Sequence, residues 1–297
     1  MVNKRRDVRE LIKPWIMAAR PRTLPAAAAP VLVGSALALN NGAFSWSITT
    51  ACFLLALLLQ IGSNFANDLF DYQKGTDKAD RTGPKRAVAS GMVSPGQMQT
   101  ATALVLLGAA IVGAYLALIG GPIFFLIGAF CILAAVMYTA GPFALGYIGL
   151  GDLAVFIFFG LVAVVGTYYL QAKTVTFFAL VAGVGVGALV TNILVVNNIR
   201  DRFTDARTGK RTLAVRFGKK FSMHQYVALL VLGFFCALLL MPLSIWAFLP
   251  LITLPMAVKL VKELQELEGP QLNKTLGKTA NLLFFYSILL AIGLIII

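Results

Sequence analysis

Nine stretches of this 297-residue chain stay apolar for long enough to cross a lipid bilayer as helices, near residues 23–40, 47–66, 98–118, 121–139, 152–171, 175–197, 223–241, 243–261 and 279–297. About 20 apolar residues make one crossing, because a helix rises ~1.5 Å per residue through a hydrocarbon layer ~30 Å thick. Within lipid every backbone N–H and C=O needs an internal partner, so such spans are helices. Composition agrees, with 59% hydrophobic and 12% charged residues against about a quarter charged in soluble chains. We therefore expect an all-α polytopic membrane protein, one domain over 1–297 with no room for a separate soluble domain. Residues 1–22 form a basic N-terminal segment without the pattern of a removable signal peptide. Pro25, Pro30, Pro250 and Pro255 predict kinks in the first and eighth spans.

The charges fix an orientation. Of 25 Lys and Arg, seven precede the first span, five follow the second, eight follow the sixth and four follow the eighth, and only Lys173 falls on the other side. Cytoplasmic loops keep Lys and Arg, so the N terminus and these loops are expected in the cytoplasm and the C terminus outside a plasma membrane. All 12 acidic residues share the basic side, although the positive-inside rule says little about Asp and Glu. A net charge of +13 further suggests an anionic partner, a lipid surface or a phosphorylated substrate. Nothing in the sequence calls for nucleic acid or an obligate protein partner. Cys52, Cys131 and Cys236 sit in apolar runs without metal-type spacing and read as buried hydrophobes.

Two polar motifs stand at equivalent places. The second span ends in Gln60, Asn64, Asn67, Asp68 and Asp71, with Lys74, Asp77, Asp80, Arg81, Lys85 and Arg86 beyond. The sixth ends in Asn192, Asn197, Asn198 and Asp201, with Arg202, Asp205, Lys210, Arg211 and Arg216 beyond. Asn64, Asp68 and Asp71 fall at i, i+4, i+7 and Asn197, Asp201 and Asp205 at i, i+4, i+8, so each helix end presents an oxygen-rich stripe. Four intervening spans return the chain to the same membrane face, so the stripes can meet. The pattern suggests a parallel pseudo-repeat of about 23–139 and 152–261, with a ninth helix at 279–297. Carboxylates and amides without His or Cys are hard ligands that suit Mg²⁺ shared with phosphate oxygens. Interspersed Lys and Arg bind the same oxygens, so the constellation reads as a diphosphate site. A single cluster could be helix caps and lipid anchors; two matching clusters argue against that.

The stretches NFANDLFDYQKGTDKADRTGPKR, YTAGPFALGYIGLGD and NNIRDRFTDARTGKRTLAVRFG resemble the UbiA superfamily of intramembrane aromatic prenyltransferases. Within it, KGTDKADRTGP and GYIGLGD are similar to the 1,4-dihydroxy-2-naphthoate prenyltransferases of menaquinone synthesis, and the likeness runs from ARPRTLP through the ninth span. The resemblance implies a nine-helix bundle around a central cavity that takes a polyprenyl tail, under a cytoplasmic polar cap. It implies two Mg²⁺ ions on the diphosphate, one held by Asn64, Asp68 and Asp71, the other by Asn197 or Asn198 with Asp201 and Asp205. Lys74, Arg81, Lys210 and Arg211 would neutralise the diphosphate as the allylic C–O bond breaks, and Arg22 would meet the diphosphate or the acceptor carboxylate. The hydroquinol ring of 1,4-dihydroxy-2-naphthoate would then attack the allylic cation, with loss of carbon dioxide to demethylmenaquinol. Asp152 is the candidate to orient or deprotonate a ring hydroxyl, and Tyr138 and Tyr147 are candidates for acceptor binding.

Two other readings compete. The acceptor could be another aromatic, such as 4-hydroxybenzoate, or a porphyrin side chain, with the same donor chemistry; DRTGP and GLGD favour the naphthoate. An organic-anion transporter would also have duplicated halves, but carboxylates gathered at one face would repel a lone anion. The lone His224 reads as an interfacial polar residue rather than a base.

Overall fold

The computed structural model describes residues 8–76 and 83–296, with only the backbone considered for residues 8–10 and 22. Its elements are helices throughout: α1 (Val8–Ala19), α2 (Leu24–Asn40), α3 (Trp46–Gln73), α4 (Pro95–Gly120), α5 (Ile123–Met137), α6 (Gly151–Ala172), α7 (Phe177–Arg207), α8 (Leu213–Leu239), α9 (Ile245–Glu266) and α10 (Leu272–Ile295). Helices α2 to α10 answer the nine expected segments in order. Among the described residues seven of these are long and apolar enough by themselves to cross a membrane. The expected count of nine is therefore approximate, since α2 has 17 residues and α5 only 15.

Local chemistry sets the helix ends. Ser94 and Gln97 form a reciprocal capping box at the start of α4, where Pro95 occupies the first turn, so two otherwise orphaned donors are satisfied. The Thr176 and Thr212 hydroxyls cap α7 and α8 by accepting from the Ala179 and Val215 N–H groups, without the reciprocal half. In α9 a 3₁₀ stretch, Ile245–Thr253, carries Pro250 and gives way to α-helix at Leu254. In α2 the turn falls elsewhere. Pro30 lies within a continuous helix, and the chain instead turns before it, at Arg20 in the left-handed region (φ 52°) and a 3₁₀ turn over Pro21–Thr23.

Helix α7 is the hub, packed against α2, α6, α8 and α10. Its Gly183 and Gly187 let α6 come very close: a Cβ on Gly160 would stand 2.6 Å from the Gly183 carbonyl and from the Gly187 Cα. Small residues four apart permit such approach where lipid supplies no hydrophobic drive between helices. Around the contact, Phe156–Val165 is wound as a π-helix. Helix α10 packs on α2 and closes the bundle. On the outside of α4, Leu104, Leu107, Ile111 and Leu118 form an exposed stripe at helical spacing, the face expected against lipid.

An elongated cavity of about 180 Å³ lies between α3, α4 and α5 on one side and α2 and α6 on the other. Apolar side chains line most of it, including Leu55, Leu59, Phe124, Ile127, Phe158 and Phe159, while Gln60, Ser63 and Tyr138 stand at one end. From Cys52 to Ser63 along α3 the lining covers ~17 Å.

Candidate active site at the polar mouth of the cavity

Both motifs sit at helix C-terminal ends. Asp71 is in the last turn of α3 and Asp205 in the last turn of α7, where the helix dipole adds negative potential to that of the carboxylates. Such a place collects cations, and it does. The Arg86 guanidinium pairs with Asp71 at 2.8 Å, both side chains buried. Lys210 reaches Asp71 at 3.5 Å and Asp205 at 3.8 Å. The two stripes, read separately in the sequence, therefore share one lysine.

The first motif is tightly built. Asp68, 1% exposed, accepts from the backbone N–H groups of Ala87 and Val88 at 2.9 and 3.0 Å, which fastens the turn after the loop onto α3. Asn64 donates to the Ala19 carbonyl and to Thr23 Oγ1. Tyr147 donates to Asp71 at 2.6 Å and accepts from Thr76. Burial, reinforced by the Asp71 charge, holds the Tyr147 phenol well above its ordinary pKa. Lys74 donates to the carbonyls of Thr139 and Gly141 and lies over the Tyr147 ring at 4.2 Å, as Lys210 does at 4.7 Å. Partial burial lowers the Lys74 pKa, with Asp71 working against it.

In the second motif Arg200 holds Asp201 through two hydrogen bonds of 2.8 and 2.6 Å and reaches Asn197 at 2.7 Å and Asn273 at 2.9 Å. The adjacent amides thus part company. Asn197 shares a guanidinium with Asp201, whereas Asn198 donates to Asp152 at 3.4 Å. Asp152, at the start of α6, is 6% exposed and accepts also from Gln225 at 3.3 Å. Tyr138 lies nearby at the cavity end.

The remaining candidates divide. Arg211 has an exposed side chain and contributes its backbone N–H, donated to the Tyr147 carbonyl at 2.7 Å. Arg81 lies outside the described residues, as does the side chain of Arg22. Arg86 belongs to the first motif by sequence but not to the expected diphosphate set, and Arg200, Gln225 and Thr23 stand outside both motifs as read from the sequence. Arg200 had a signal, three residues after Asn197 on the same helical face; Gln225 and Thr23 did not, because their partners come from distant segments.

The donors fit Mg²⁺. They are amide and carboxylate oxygens on two helix ends, and among the described residues no three His, Cys, Asp or Glu side chains form a cage. Mg²⁺ needs none, since it is usually bound by one or two carboxylates plus substrate phosphates.

Residues 27–295 match the UbiA prenyltransferase family model. The chain is similar to the 1,4-dihydroxy-2-naphthoate octaprenyltransferase of Mycobacterium leprae, 39% identical over 93% of this chain and 94% of that protein. It is 42% identical to the protein of the same description from Mycobacterium tuberculosis, over 82% and 84% of the two chains. Its fold resembles a UbiA homolog from Archaeoglobus fulgidus bound to DMAPP and Mg²⁺, with TM-score 0.67 and 13% identity over 94% of this chain and 99% of that one.

Proposed function

The chain belongs to the UbiA prenyltransferase family, and from that premise we propose that it transfers a polyprenyl group from polyprenyl diphosphate to 1,4-dihydroxy-2-naphthoate, releasing diphosphate and carbon dioxide and giving demethylmenaquinol. The description shared by the mycobacterial relatives supports the acceptor. The single observation that carries the chemistry is Lys210 between Asp71 and Asp205, with Asp71 in the last turn of α3, the helix whose Gln60 and Ser63 stand at the polar end of an apolar cavity suited to a prenyl tail.

The tail lies along α3, α5 and α6, and the diphosphate stands where the two motifs meet. As the allylic C–O bond breaks, its electron pair leaves with the diphosphate, and Lys210 and Lys74 are aimed at that growing charge rather than at the neutral tail. Bound Mg²⁺, of which we expect two ions held by Asn64, Asp68 and Asp71 and by Asn197 or Asn198, Asp201 and Asp205, would neutralise diphosphate charge that these lysines alone leave unmet. Arg81, Arg211 and Arg22 remain part of the proposed diphosphate set. The cavity wall keeps water from the allylic cation. The ring carbon bearing the carboxylate attacks it, a C–C bond forms, and carbon dioxide departs leaving its bonding pair in the ring, so no net oxidation occurs. Asp152, held by Asn198 and Gln225, orients or deprotonates a ring hydroxyl beside Tyr138 and Tyr147. The basic loops support the cytoplasmic face of the plasma membrane as the side on which this chemistry runs.

The test is prenyl transfer by the purified protein in liposomes, with labelled polyprenyl diphosphate, Mg²⁺, and both 1,4-dihydroxy-2-naphthoate and 4-hydroxybenzoate. Demethylmenaquinol with carbon dioxide release, lost on chelation, is the expected result. Product from the benzoate alone would overturn the acceptor, and no Mg²⁺-dependent product would overturn the reading.

A further inference from the structure

The turn between α1 and α2 does more than join them. Thr23 Oγ1 donates to the Arg20 carbonyl at 2.9 Å and accepts from Gln60 and Asn64 at 3.2 Å each. One donor and two acceptor positions are the whole capacity of a hydroxyl, so this one is saturated. The Arg20 carbonyl can only accept, which forces the Thr23 hydrogen toward it and leaves both lone pairs for the amides of α3.

The consequence falls on Asn64, which is 3% exposed. Its Nδ2 donates both to Thr23 Oγ1 and to the Ala19 carbonyl at 3.0 Å. A carbonyl cannot donate, so the amide must present its NH₂ to this turn and its oxygen elsewhere. That oxygen accepts no hydrogen bond from the described residues. The turn itself is held in an uncommon shape: Arg20 is one of only two non-glycine residues with positive φ among those described. Backbone of this kind persists where the surroundings over-determine it, often beside functional sites.

We propose that Thr23 is a positioning residue for the first motif: together with the Ala19 carbonyl it locks the Asn64 amide so that Oδ1 is the atom left to bind a divalent cation. Outer-shell partners of this kind orient the ligand and tune affinity without touching the ion. The inference rests on the Mg²⁺ site of the proposed function, and its test separates the two.

Mn²⁺ is titrated into the full-length protein in nanodiscs with inorganic diphosphate present, and bound ion is read by electron paramagnetic resonance, without turnover. Wild-type protein should bind, Thr23→Val should bind about tenfold more weakly, and Thr23→Ser, which keeps the hydroxyl, should match wild type. No binding by wild type would overturn the metal reading itself. Wild-type affinity in Thr23→Val would overturn the role of Thr23, and equal loss in Thr23→Ser would assign the effect to the methyl group instead. If Thr23→Val does not fold, Thr23→Ala removes the hydroxyl without added shape and is judged by the same criterion.

Discussion

Tyr147 and Asp71, 76 residues apart in the chain, share a hydrogen bond of 2.6 Å in which the phenol donates. The bond orients the carboxylate and leaves its other oxygen to Arg86. Tyr147→Phe should lower kcat/KM by about tenfold, the scale of one hydrogen bond to a charged group. Because burial and Asp71 raise the phenol's pKa, it stays protonated below its ordinary value of 10.0. The ratio of mutant to wild-type rate should therefore be flat with pH up to that value; a ratio that changes with a lower pKa would contradict this protonation state.

Lys210 ties the motifs together, so its loss should be felt in turnover more than in binding. Lys210→Met is expected to lower kcat about 100-fold, as for removal of one group aimed at developing charge, with the protein still folded. Steady-state kinetics with a fluorescence melting curve on the same sample checks both parts.

Asp201→Ala and Asp68→Ala should each abolish turnover and each should also cost stability, Asp68→Ala by stranding the buried Ala87 and Val88 N–H groups. Arg200 is buried and bound to Asp201 by two hydrogen bonds, and truncating one partner of such a pair costs roughly 3–5 kcal/mol. A clear fall in melting temperature is expected for Asp201→Ala, and a smaller one for Asp201→Asn, which keeps an acceptor for the guanidinium. Equal melting temperatures for Asp201→Ala and wild type would show that the pair contributes little.

The cavity allows a test of donor length. Gly128 lines it, and a Cβ there would meet nothing within 4 Å. Gly128→Phe should fill the space that a long tail needs while sparing the mouth. Turnover of geranyl diphosphate should survive and that of an octaprenyl donor should fall; parallel losses on both donors would mean the tail lies elsewhere.

Gly160 tests the helix crossing. An added methyl would press on the Gly183 carbonyl and the Gly187 backbone at 2.6 Å, and neither can rotate away. Gly160→Ala should destabilise by about 1–3 kcal/mol, visible as a lower melting temperature. An unchanged melting temperature would mean that the helices separate freely.

Much of this was legible in the chain alone. Apolar runs and their lengths fix the helices, because lipid leaves the backbone no other way to satisfy itself. Helical periodicity puts Asn64, Asp68 and Asp71 on one face and Asn197, Asp201 and Asp205 on another, and the absence of His and Cys restricts the metals they suit. Those are local consequences of residue type and spacing. Which groups meet across the bundle is another matter. That Lys210 joins Asp71 to Asp205, that Asn198 turns to Asp152 while Asn197 stays with Arg200, and that a turn at Thr23 orients Asn64 all depend on contacts between segments 41 to 139 residues apart or on the rotation of neighbouring side chains. Periodicity reports the face of one helix and says nothing of its partner, so only packing, set by close crossings such as that of Gly160 on Gly187, decides them.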